Sequence, residues 1–425
     1  MAGSTTPRER IAVVGSGAAG LTAAYLLSRV HEVTLFEAAD RLGGHAHTHD
    51  VPVSGGRTLA VDSGFIVHND RTYPLLRRLF AELGVAAHPT EMSMSIRDER
   101  SGIEYAGGKG LSGFVARPRQ FFDRDYVQTL LSVRRFYAVA REFLRTTTDE
   151  DPTTFGELIR DARLPPTFVR LYAVPVVACV WSTGGADALD YPARYLLRFL
   201  EHHGMLSVGG SPQWFTVEGG SRTYVEAVAA RITHVRTASA VRSAWRDDAG
   251  VNLVDAASGR AERFDRIVVA THPDQALDLL ADPSPLEKEV LGAFRYSRNE
   301  TVLHRDLSLL PTAPAARASW NYLVRGEGDG PPLVTYWMNR LQGFPEGDPL
   351  LVTLNGADRI DPASVVATMD YAHPLYDLAA VRAQRQLPGL SVGRTAYAGA
   401  YHGWGFHEDA VRAGVAAAAA FGVLW

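Results

Sequence analysis

The chain has 425 residues, 46% of them hydrophobic, so it can bury a large core and form two intimately joined domains. Its formal net charge of −4 argues against nucleic acid as a partner. Cys179 is the single cysteine, which excludes an intramolecular disulfide and a cysteine metal cluster.

Residues 11–44 predict a strand, a glycine turn, a helix and a second strand. Ile11–Val14 is a short apolar run, as expected for a strand buried on both faces. Gly15, Gly17 and Gly20 form G-x-G-x-x-G at its end. In this motif the first glycine permits a tight turn, the second lets the backbone approach a pyrophosphate, and the third lets the helix pack closely on the sheet.

The predicted helix Ala18–Arg29 opens with Ala18 and Ala19 and directs its free N–H groups toward the phosphates. Val33–Phe36 is the second strand, and Glu37 ends it. An acid at this place accepts hydrogen bonds from an adenosine ribose, which argues against the 2′-phosphate of NADP. The unit therefore predicts a dinucleotide site.

The residues after Glu37 indicate which dinucleotide binds. Ala38 is followed by Arg41, Gly43, Gly44 and His45. An acid followed by R-x-G-G resembles the FAD fingerprint of the glutathione-reductase-like flavoproteins, in particular the amine oxidase and phytoene desaturase superfamily. The resemblance implies FAD, bound non-covalently, with this second segment at the pyrophosphate. The family usually has arginine where this chain has His45.

Other segments resemble the same superfamily. Val61–Phe65 resembles the D-x-G segment near the isoalloxazine ring, which implies contacts from Gly64 and Phe65. Glu218–Ser221 resembles the G-G turn with which the chain returns to the cofactor domain in this superfamily. Val241 is at the position whose backbone contacts the adenine in the family. Residues 264–271 resemble its late strand.

The last segment is a strand, Thr395–Ala398, a loop and a helix, Ala410–Phe421. In the superfamily this helix runs under the flavin, so its opening N–H groups stabilise the reduced ring. The resemblance assigns to the flavin site Gly399, Trp404, Gly405, Phe406 and His407.

The predicted fold is α/β, a glutathione-reductase-like FAD-binding Rossmann domain with an inserted α+β substrate domain like that of amine oxidases. Residues 1–105, 208–285 and 388–425 are assigned to the FAD-binding domain. The substrate domain then comprises residues 106–207 and 286–387. Residues 118–205 read as mostly helical, and residues 296–385 as a mixed region whose sheet roofs the flavin.

The candidate catalytic residues are His402 and His407, which belong to the segment placed beside the ring. Histidine exchanges protons near neutral pH, although a structural hydrogen bond is its commoner role. Many amine oxidases of the superfamily carry a lysine on the strand that corresponds to Asn299–His304, and this chain has none there. The absence weakens a simple amine oxidase interpretation.

The candidate substrate residues are Trp320, Tyr336, Trp337 and Arg340. Aromatic side chains on alternating strand positions can face a flavin, and arginine binds carboxylates with both nitrogens. Core packing for the aromatics and a surface ion pair for Arg340 are the alternatives.

No metal site is predicted. His45, His47 and His49 alternate, but they lie inside the segment that resembles the FAD fingerprint. Cys179 is expected to be a buried small hydrophobic residue rather than a flavin attachment point.

We expect an FAD-dependent oxidoreductase that transfers hydride between flavin N5 and a carbon of a small hydrophobic substrate. The strings GGHAHT (43–48) and GWGFHED (403–409) look like a bacterial subgroup often associated with fatty-acid modification. Saturation, desaturation or isomerisation of an unsaturated acyl lipid is thus the specific hypothesis. The alternatives are an amine or amino-acid oxidase that produces hydrogen peroxide and a non-catalytic flavin-binding partner protein.

The first ten residues lack the apolar core of a secretory signal, so a cytoplasmic location is expected. The sequence leaves open the oligomeric state and a peripheral membrane contact through Val415–Trp425, for which packing as the last helix is the expected role.

Overall fold

A computed structural model describes residues 8–108, 111–207, 210–326 and 330–425. The N-terminal segment used above to predict location therefore lies largely outside the described residues. The strands are β1 (Arg10–Val14), β2 (Glu32–Phe36), β3 (Thr48–Pro52), β4 (Thr58–Asp62), β5 (Val67–Asn69), β6 (Ala87–Thr90), β7 (Met94–Asp98), β8 (Glu104–Gly107), β9 (Trp214–Val217), β10 (His234–Arg236), β11 (Val241–Asp247), β12 (Gly250–Asp255), β13 (Ala261–Phe264), β14 (Arg266–Val269), β15 (Arg295–His304), β16 (Trp320–Val324), β17 (Leu333–Trp337), β18 (Leu351–Leu354), β19 (Val365–Leu375) and β20 (Thr395–Tyr397). The α-helices are α1 (Ala18–Leu27), α2 (Pro74–Leu83), α3 (Leu111–Phe114), α4 (Arg124–Thr146), α5 (Phe155–Asp161), α6 (Pro166–Phe168), α7 (Val174–Trp181), α8 (Gly185–Leu189), α9 (Ala193–His202), α10 (Arg222–Ala229), α11 (Pro273–Leu279), α12 (Pro285–Gly292), α13 (Met338–Leu341), α14 (Leu378–Gln384) and α15 (His407–Ala420).

The centre of the molecule is a five-stranded parallel sheet in the order β10-β2-β1-β14-β20. Its strands come from early, middle and late parts of the chain, as predicted for the cofactor-binding domain. Because the strands are parallel, their carboxyl ends share one edge, where α1 begins after β1 and the loop before α15 follows β20.

The two faces of this sheet belong to different cores, because alternate strand residues point to opposite sides. Ile11, Val13 and Val33 pack in a cluster with α1, α2, α10 and α15. Ala12 and Val14 pack in a second cluster with the antiparallel sheet β11-β12-β13 and with helices α11, α12 and α14. The sheet is thus covered on both sides, which explains its continuous apolar runs.

The second large sheet has seven strands in the order β19-β15-β18-β17-β16-β7-β8 and is antiparallel except between β16 and β7. The register places Trp320 opposite Tyr336, Tyr322 opposite Val334, and Asn299 opposite Tyr371. Since cross-strand partners share a face, one face of this sheet carries Asn299, Trp320, Tyr322, Tyr336, Tyr371 and His373. We call it the inner face.

The inner face is turned toward the cofactor-binding half. The Tyr371 hydroxyl lies 2.7 Å from Ser63 Oγ and 2.9 Å from His47 Nδ1. This placement agrees with the predicted sheet above the flavin.

The sheets do not follow the predicted domain limits at every point. Strands β7 and β8, which fall within or across residues 1–105, pair in the seven-stranded sheet. Helices α12 and α14, assigned to the substrate domain, pack on the core of the cofactor-binding half. Which sheet or core an element joins is decided by contacts between residues far apart in sequence. Local hydrophobic periodicity does not predict these contacts.

Residues 118–205 are mostly helical, as predicted, and helices α4 to α9 at residues 124–202 form what we call the helical cap. The core of the cap is built by α4, α5, α7 and α9, and Trp404 and Phe406 of the late loop pack against it. None of the helices in the described residues is long and apolar enough to cross a membrane.

Candidate cofactor site and active site

The glycine turn after β1 has the geometry that the motif predicts. Gly15 has φ +99°, and a Cβ at Gly20 would lie 1.9 Å from the Gly15 carbonyl oxygen, so both positions require glycine. A Cβ at Gly17 would have no atom within 4 Å. Open space therefore lies in front of the α1 N-terminus, which begins with Ala18 and Ala19 and has no side-chain cap.

Glu37 ends β2 beside this turn. Its carboxylate accepts hydrogen bonds from Ser16 N–H at 2.9 Å, Ser16 Oγ–H at 2.5 Å and Ala39 N–H at 2.9 Å. The backbone of Ala238 and Ser239 donates to the carbonyl oxygens of Ala39 and Glu37, at 2.7 and 2.8 Å. The segment that leads into Val241 thus runs alongside the exposed Ala38, at the end predicted for adenosine.

The R-x-G-G segment lies against the first glycine turn. Gly43 N–H donates to Ser16 Oγ at 3.1 Å, and a Cβ at Gly44 would lie 3.2 Å from Gly17 Cα. Gly44 has φ +57°. Arg41 is half-buried near this segment, with its guanidinium 3.4 Å from the Leu42 carbonyl oxygen. Two glycine-containing backbone segments therefore meet where a pyrophosphate is predicted.

The D-x-G segment is held by Asp62. This buried carboxylate accepts hydrogen bonds from Ser221 N–H at 2.9 Å and from Thr48 Oγ1–H at 2.6 Å. Burial raises the pKa of Asp62 to about 6. Phe65 N–H donates to the His45 carbonyl oxygen at 2.8 Å, and a Cβ at Gly64 would lie 2.2 Å from that oxygen. Asp62 thus has a positioning role that ties the predicted G-G turn to the cofactor segment.

The late loop approaches the same place. The imidazole of His407 stacks on Phe65, and the Tyr224 hydroxyl lies 3.2 Å from His407 Nε2. Gly399 and Gly405 allow the loop to fold closely, since a Cβ at Gly399 would meet the Tyr401 ring at 2.2 Å and Gly405 has φ +94°.

The helical cap fixes the backbone of this loop. Trp181 Nε1–H donates to the Trp404 carbonyl oxygen at 2.9 Å, and the Tyr195 hydroxyl donates to the Gly403 carbonyl oxygen at 2.7 Å. Phe406 stacks on Phe199 with ring centroids 4.9 Å apart. The loop is therefore braced from the substrate domain while its two flanking elements belong to the cofactor-binding half.

Several buried polar atoms around these segments have no hydrogen-bond partner among the described residues. They are His45 Nε2, Tyr376 Oη, Tyr401 Oη, His402 Nε2 and Trp404 Nε1. Buried polar groups are normally paired, so the site has unused hydrogen-bonding capacity. Together with the open space at Gly17 and the uncapped α1 N-terminus, it fits an extended dinucleotide with a polar ring system.

Both candidate catalytic histidines are enclosed. Burial lowers the pKa of His402 to about 4 and that of His407 to about 3. Both are therefore neutral at neutral pH and can accept a proton or donate one hydrogen bond, but neither holds an extra proton there. His407 contacts Phe65 of the D-x-G segment, whereas His402 lies beside Tyr401, and the catalytic role of both stays a prediction.

The strand expected to carry a lysine is β15, and its inner face bears Asn299. Asn299 Nδ2–H lies 3.1 Å from His373 Nδ1, and Asn299 Oδ1 accepts a hydrogen bond from Asn355 at 2.8 Å. The His373 ring centroid is 5.3 Å from that of His45. Lys288 is exposed on α12. An amide and a neutral imidazole thus occupy this part of the inner face, since burial lowers the pKa of His373 to about 4.

The four predicted substrate residues separate into two pairs. Trp320 and Tyr336 pack edge to face on the inner face, with ring centroids 5.3 Å apart. Trp337 points to the opposite face, where it packs with Leu310 and Leu351. Arg340 lies over the Trp337 ring and donates to the Arg317 carbonyl oxygen at 2.8 Å. The structure brings only Trp320 and Tyr336 to the inner face.

Sequence reasoning missed Asn299 and Tyr371, which lie with His373 on the inner face of β15 and β19. A partial signal was available, because alternation along the predicted strand groups Asn299 with Thr301 and Leu303 on one face, and the string DYAHP (370–374) contains Tyr371 and His373.

Within the described ranges, no group of three or more His, Cys, Asp or Glu side chains is arranged to hold a metal ion. Cys179 is buried, and burial raises the pKa of its thiol. Two surface depressions, of about 440 and 550 Å³, lie beside β10 and beside residues 116–120 and contain none of the predicted site residues.

Residues 18–303 match the family of flavin-containing amine oxidoreductases. A putative flavin-containing monoamine oxidase, AofH, of Mycobacterium tuberculosis is 30% identical over 295 residues, which cover 66% of this chain and 60% of that protein. The matched region thus spans about three fifths of the length of this curated relative.

Solved structures share the fold over nearly the whole chain. A fatty acid isomerase that produces CLA, from P. acnes, matches with a TM-score of 0.66 and 17% identity over 96% of this chain and 97% of that one. Cyclohexylamine oxidase from Brevibacterium oxydans matches with a TM-score of 0.68 and 18% identity over 97% and 98%. The chain therefore belongs to the family of flavin-containing amine oxidoreductases and shares the fold of these solved structures.

Proposed function

We propose that this protein acts on a neutral hydrophobic substrate and saturates, desaturates or isomerises an unsaturated acyl lipid. When bound, FAD supplies a hydride acceptor and donor at N5. Isomerisation needs no outside redox partner, whereas desaturation passes two electrons to an acceptor and saturation draws two from a donor.

The observation that carries this proposal is the chemistry of the aromatic side chains on the inner face and on the helical cap that contacts this sheet. Burial raises the pKa of five tyrosines there, although each side chain keeps part of its surface accessible. These tyrosines are Tyr137, Tyr172, Tyr195, Tyr322 and Tyr336. Large aromatic side chains with few charges nearby favour binding of an uncharged acyl chain.

The buried carboxylates of the seven-stranded sheet and Asp409 of α15 are already paired, as far as the described residues show. Asp98 pairs with Arg170, Glu104 lies 3.2 Å from Arg117, and Asp409 accepts from Phe406 N–H at 3.1 Å and lies 2.9 Å from Arg412. These carboxylates are therefore not free to pair with a substrate ammonium group. Burial of an unpaired ammonium group costs free energy.

The chain's own residues supply orientation and a dry environment. The loop 399–406 is braced by Trp181 and Tyr195, so its backbone stays fixed as substrate enters. Asn299 donates to His373 Nδ1 in the neutral imidazole, which leaves the proton on Nε2. The inner face therefore offers a hydrogen-bond donor without a positive charge.

The test uses FAD-loaded protein under anaerobic conditions. Reduced protein is mixed with unsaturated fatty acids and their phospholipid esters, and oxidised protein is incubated with the same lipids. We expect the 450 nm absorbance to return in the first case. In the second case we expect either double-bond isomers, identified by mass spectrometry, or loss of the 450 nm absorbance through desaturation. Absence of all these changes with every acyl lipid would contradict the proposal.

Amine oxidation is the second candidate, favoured by the similarity to AofH. It predicts bleaching of the oxidised flavin by an amine and oxygen consumption with release of hydrogen peroxide. An amine panel measured on the same preparation separates the two functions.

A further inference from the structure

Exposed apolar side chains concentrate at residues 115–131. Phe122 is 93% exposed and Leu131 is 65% exposed. Val115, Phe121 and Val127 are exposed as well. A cluster of this kind on a protein surface marks an interaction site, whereas scattered exposed hydrophobic residues need no explanation.

The cluster lies on a 3₁₀ turn, Pro118–Phe122, and on the first turns of α4. Val127 and Leu131 are four residues apart and so share the outward side of the helix. The inward side of α4 is buried through Tyr126, Phe136 and Ala140. The helix is thus apolar on both sides near its N-terminus, although only the inner side has packing partners among the described residues.

Arginines surround this apolar cluster. Arg119, Arg124, Arg134 and Arg135 are all exposed. None of the four has an ion pair or hydrogen bond with another described residue. The acids in this stretch are Asp123, which accepts from two N–H groups of α4 at 2.8 and 3.1 Å, and Asp125, which pairs with Arg170. Residues 115–135 contain five arginines and only these two acids. A local positive charge therefore stands on a chain whose net charge is negative.

We propose that this docking surface, comprising residues 115–135 with the side chains named above, binds an anionic lipid bilayer. Phe122 and Leu131 enter the interface, and the four arginines lie at the lipid phosphates. Helices that lie in a membrane interface typically carry exposed aromatic and aliphatic side chains flanked by arginine or lysine. This inference does not rest on the proposed function.

A second copy of the chain fits the surface less well. A twofold contact centred on Phe122 would bring the four arginines of each copy toward the four of the other, without acids between them. Like charges brought together in an interface are destabilising.

The experiment measures sedimentation of the purified protein with phosphatidylcholine vesicles, with and without phosphatidylglycerol. We expect binding to the anionic vesicles only, and weakening as salt rises. The variants Phe122→Ser/Leu131→Ser and Arg134→Glu/Arg135→Glu should each bind at least about tenfold more weakly. All four side chains are exposed, so the fold should be unaffected, which unfolding curves check.

Leu424→Ser is the matched control, because Leu424 is 82% exposed and lies at the C-terminal segment instead. It should leave binding unchanged. A fluorophore on Leu131→Cys should report an apolar environment only with anionic vesicles, and labelling is selective because Cys179 is buried.

Three results would overturn the inference. They are equal binding of wild type and both double variants, loss of binding only in Leu424→Ser, and a lipid-free dimer that Phe122→Ser/Leu131→Ser dissociates. The last result would assign the surface to a second copy.

Discussion

The imidazole of His407 stacks on the ring of Phe65, with ring centroids 3.7 Å apart and planes inclined by 16°. These residues belong to the two segments that the resemblance places at the flavin, and they are far apart in sequence. Their contact closes the site around the carboxyl edge of the parallel sheet.

The first prediction concerns His407→Phe. Phenylalanine keeps the stacking on Phe65 and loses only the contact with Tyr224. Because burial lowers the pKa of His407 to about 3, the residue is neutral at neutral pH and we expect a positioning role. The variant should retain FAD and turn over within about threefold of wild type, a small change in barrier. Stopped-flow flavin kinetics test this, and a loss of more than a hundredfold, with FAD still bound, would identify His407 as catalytic.

The second prediction contrasts two glycines of one motif. Gly17→Ala introduces a Cβ into open space at φ −62°, so folding should be normal while FAD binding weakens at least about tenfold. Gly20→Ala places a Cβ 1.9 Å from the Gly15 carbonyl oxygen and should cost about 3 kcal/mol of stability. Thermal unfolding and the 450 nm absorbance of purified variants separate the two effects. Equal destabilisation by both would refute the assignment of Gly17 to the cofactor.

The third prediction concerns Glu37→Gln. The charged carboxylate accepts from Ser16 and Ala39 and is expected to accept from the ribose. The amide should weaken FAD binding about tenfold, since hydrogen bonds to a charged group contribute about 1.5–3 kcal/mol. Fluorescence titration with FAD measures this, with Ser16→Ala as the control for the internal hydrogen bond. Unchanged affinity in Glu37→Gln would place the ribose elsewhere.

The fourth prediction is a loss of stability in acid. Burial lowers to about 4 the pKa of five histidines, His68, His203, His304, His373 and His402. Below about pH 6.5 the unfolded chain binds protons that the folded chain does not. The free energy of unfolding should therefore fall between about pH 6.5 and 4, by up to about 1.4 kcal/mol per pH unit for each histidine. Asp62 acts in the opposite direction, because its pKa is raised to about 6.

Denaturant unfolding across this pH range tests the acid effect, with His68→Phe as the informative variant. His68 lies edge-on to Phe80, and its Nδ1 has no partner among the described residues. The variant should flatten the pH dependence by about one proton. An unchanged slope would show that His68 titrates alike in both states.

The fifth prediction separates the two faces of β17. Tyr336→Ala enlarges the interior on the inner face and should shift the preferred acyl chain length or bulk, measured as relative kcat/KM across a substrate series. Trp337→Phe leaves a gap on the opposite face beside Leu310 and should lower stability by about 1–2 kcal/mol without such a shift. A shift in Trp337→Phe alone would reverse the assignment of faces.

The βαβ unit at residues 10–37 could be predicted from sequence because its signals are local. Glycines at fixed spacing, an apolar strand and a terminal acid each have a steric or electrostatic cause within the unit itself. The same holds for α15, whose small residues allow α1 to approach, as Gly414 shows by its closeness to the Ala19 carbonyl oxygen.

The inner face could not be predicted in this way. Asn299 and His373 are 74 residues apart, and only the pairing of β15 with β19 brings them together. Alternation along β17 shows that Tyr336 and Trp337 point to opposite sides, but not which side is turned toward the cofactor. Register across the seven strands supplies that information, and it depends on long-range packing.

The dependence of the sheet on β20 and α15 also has a consequence for biosynthesis. All ten residues of α1 are buried, in part by α15, which a ribosome makes long after α1. Until then the nascent chain exposes one of its most apolar surfaces, so we expect chaperones to hold it and FAD to be acquired only after release. Loading of the cofactor would thus report that translation has passed α15.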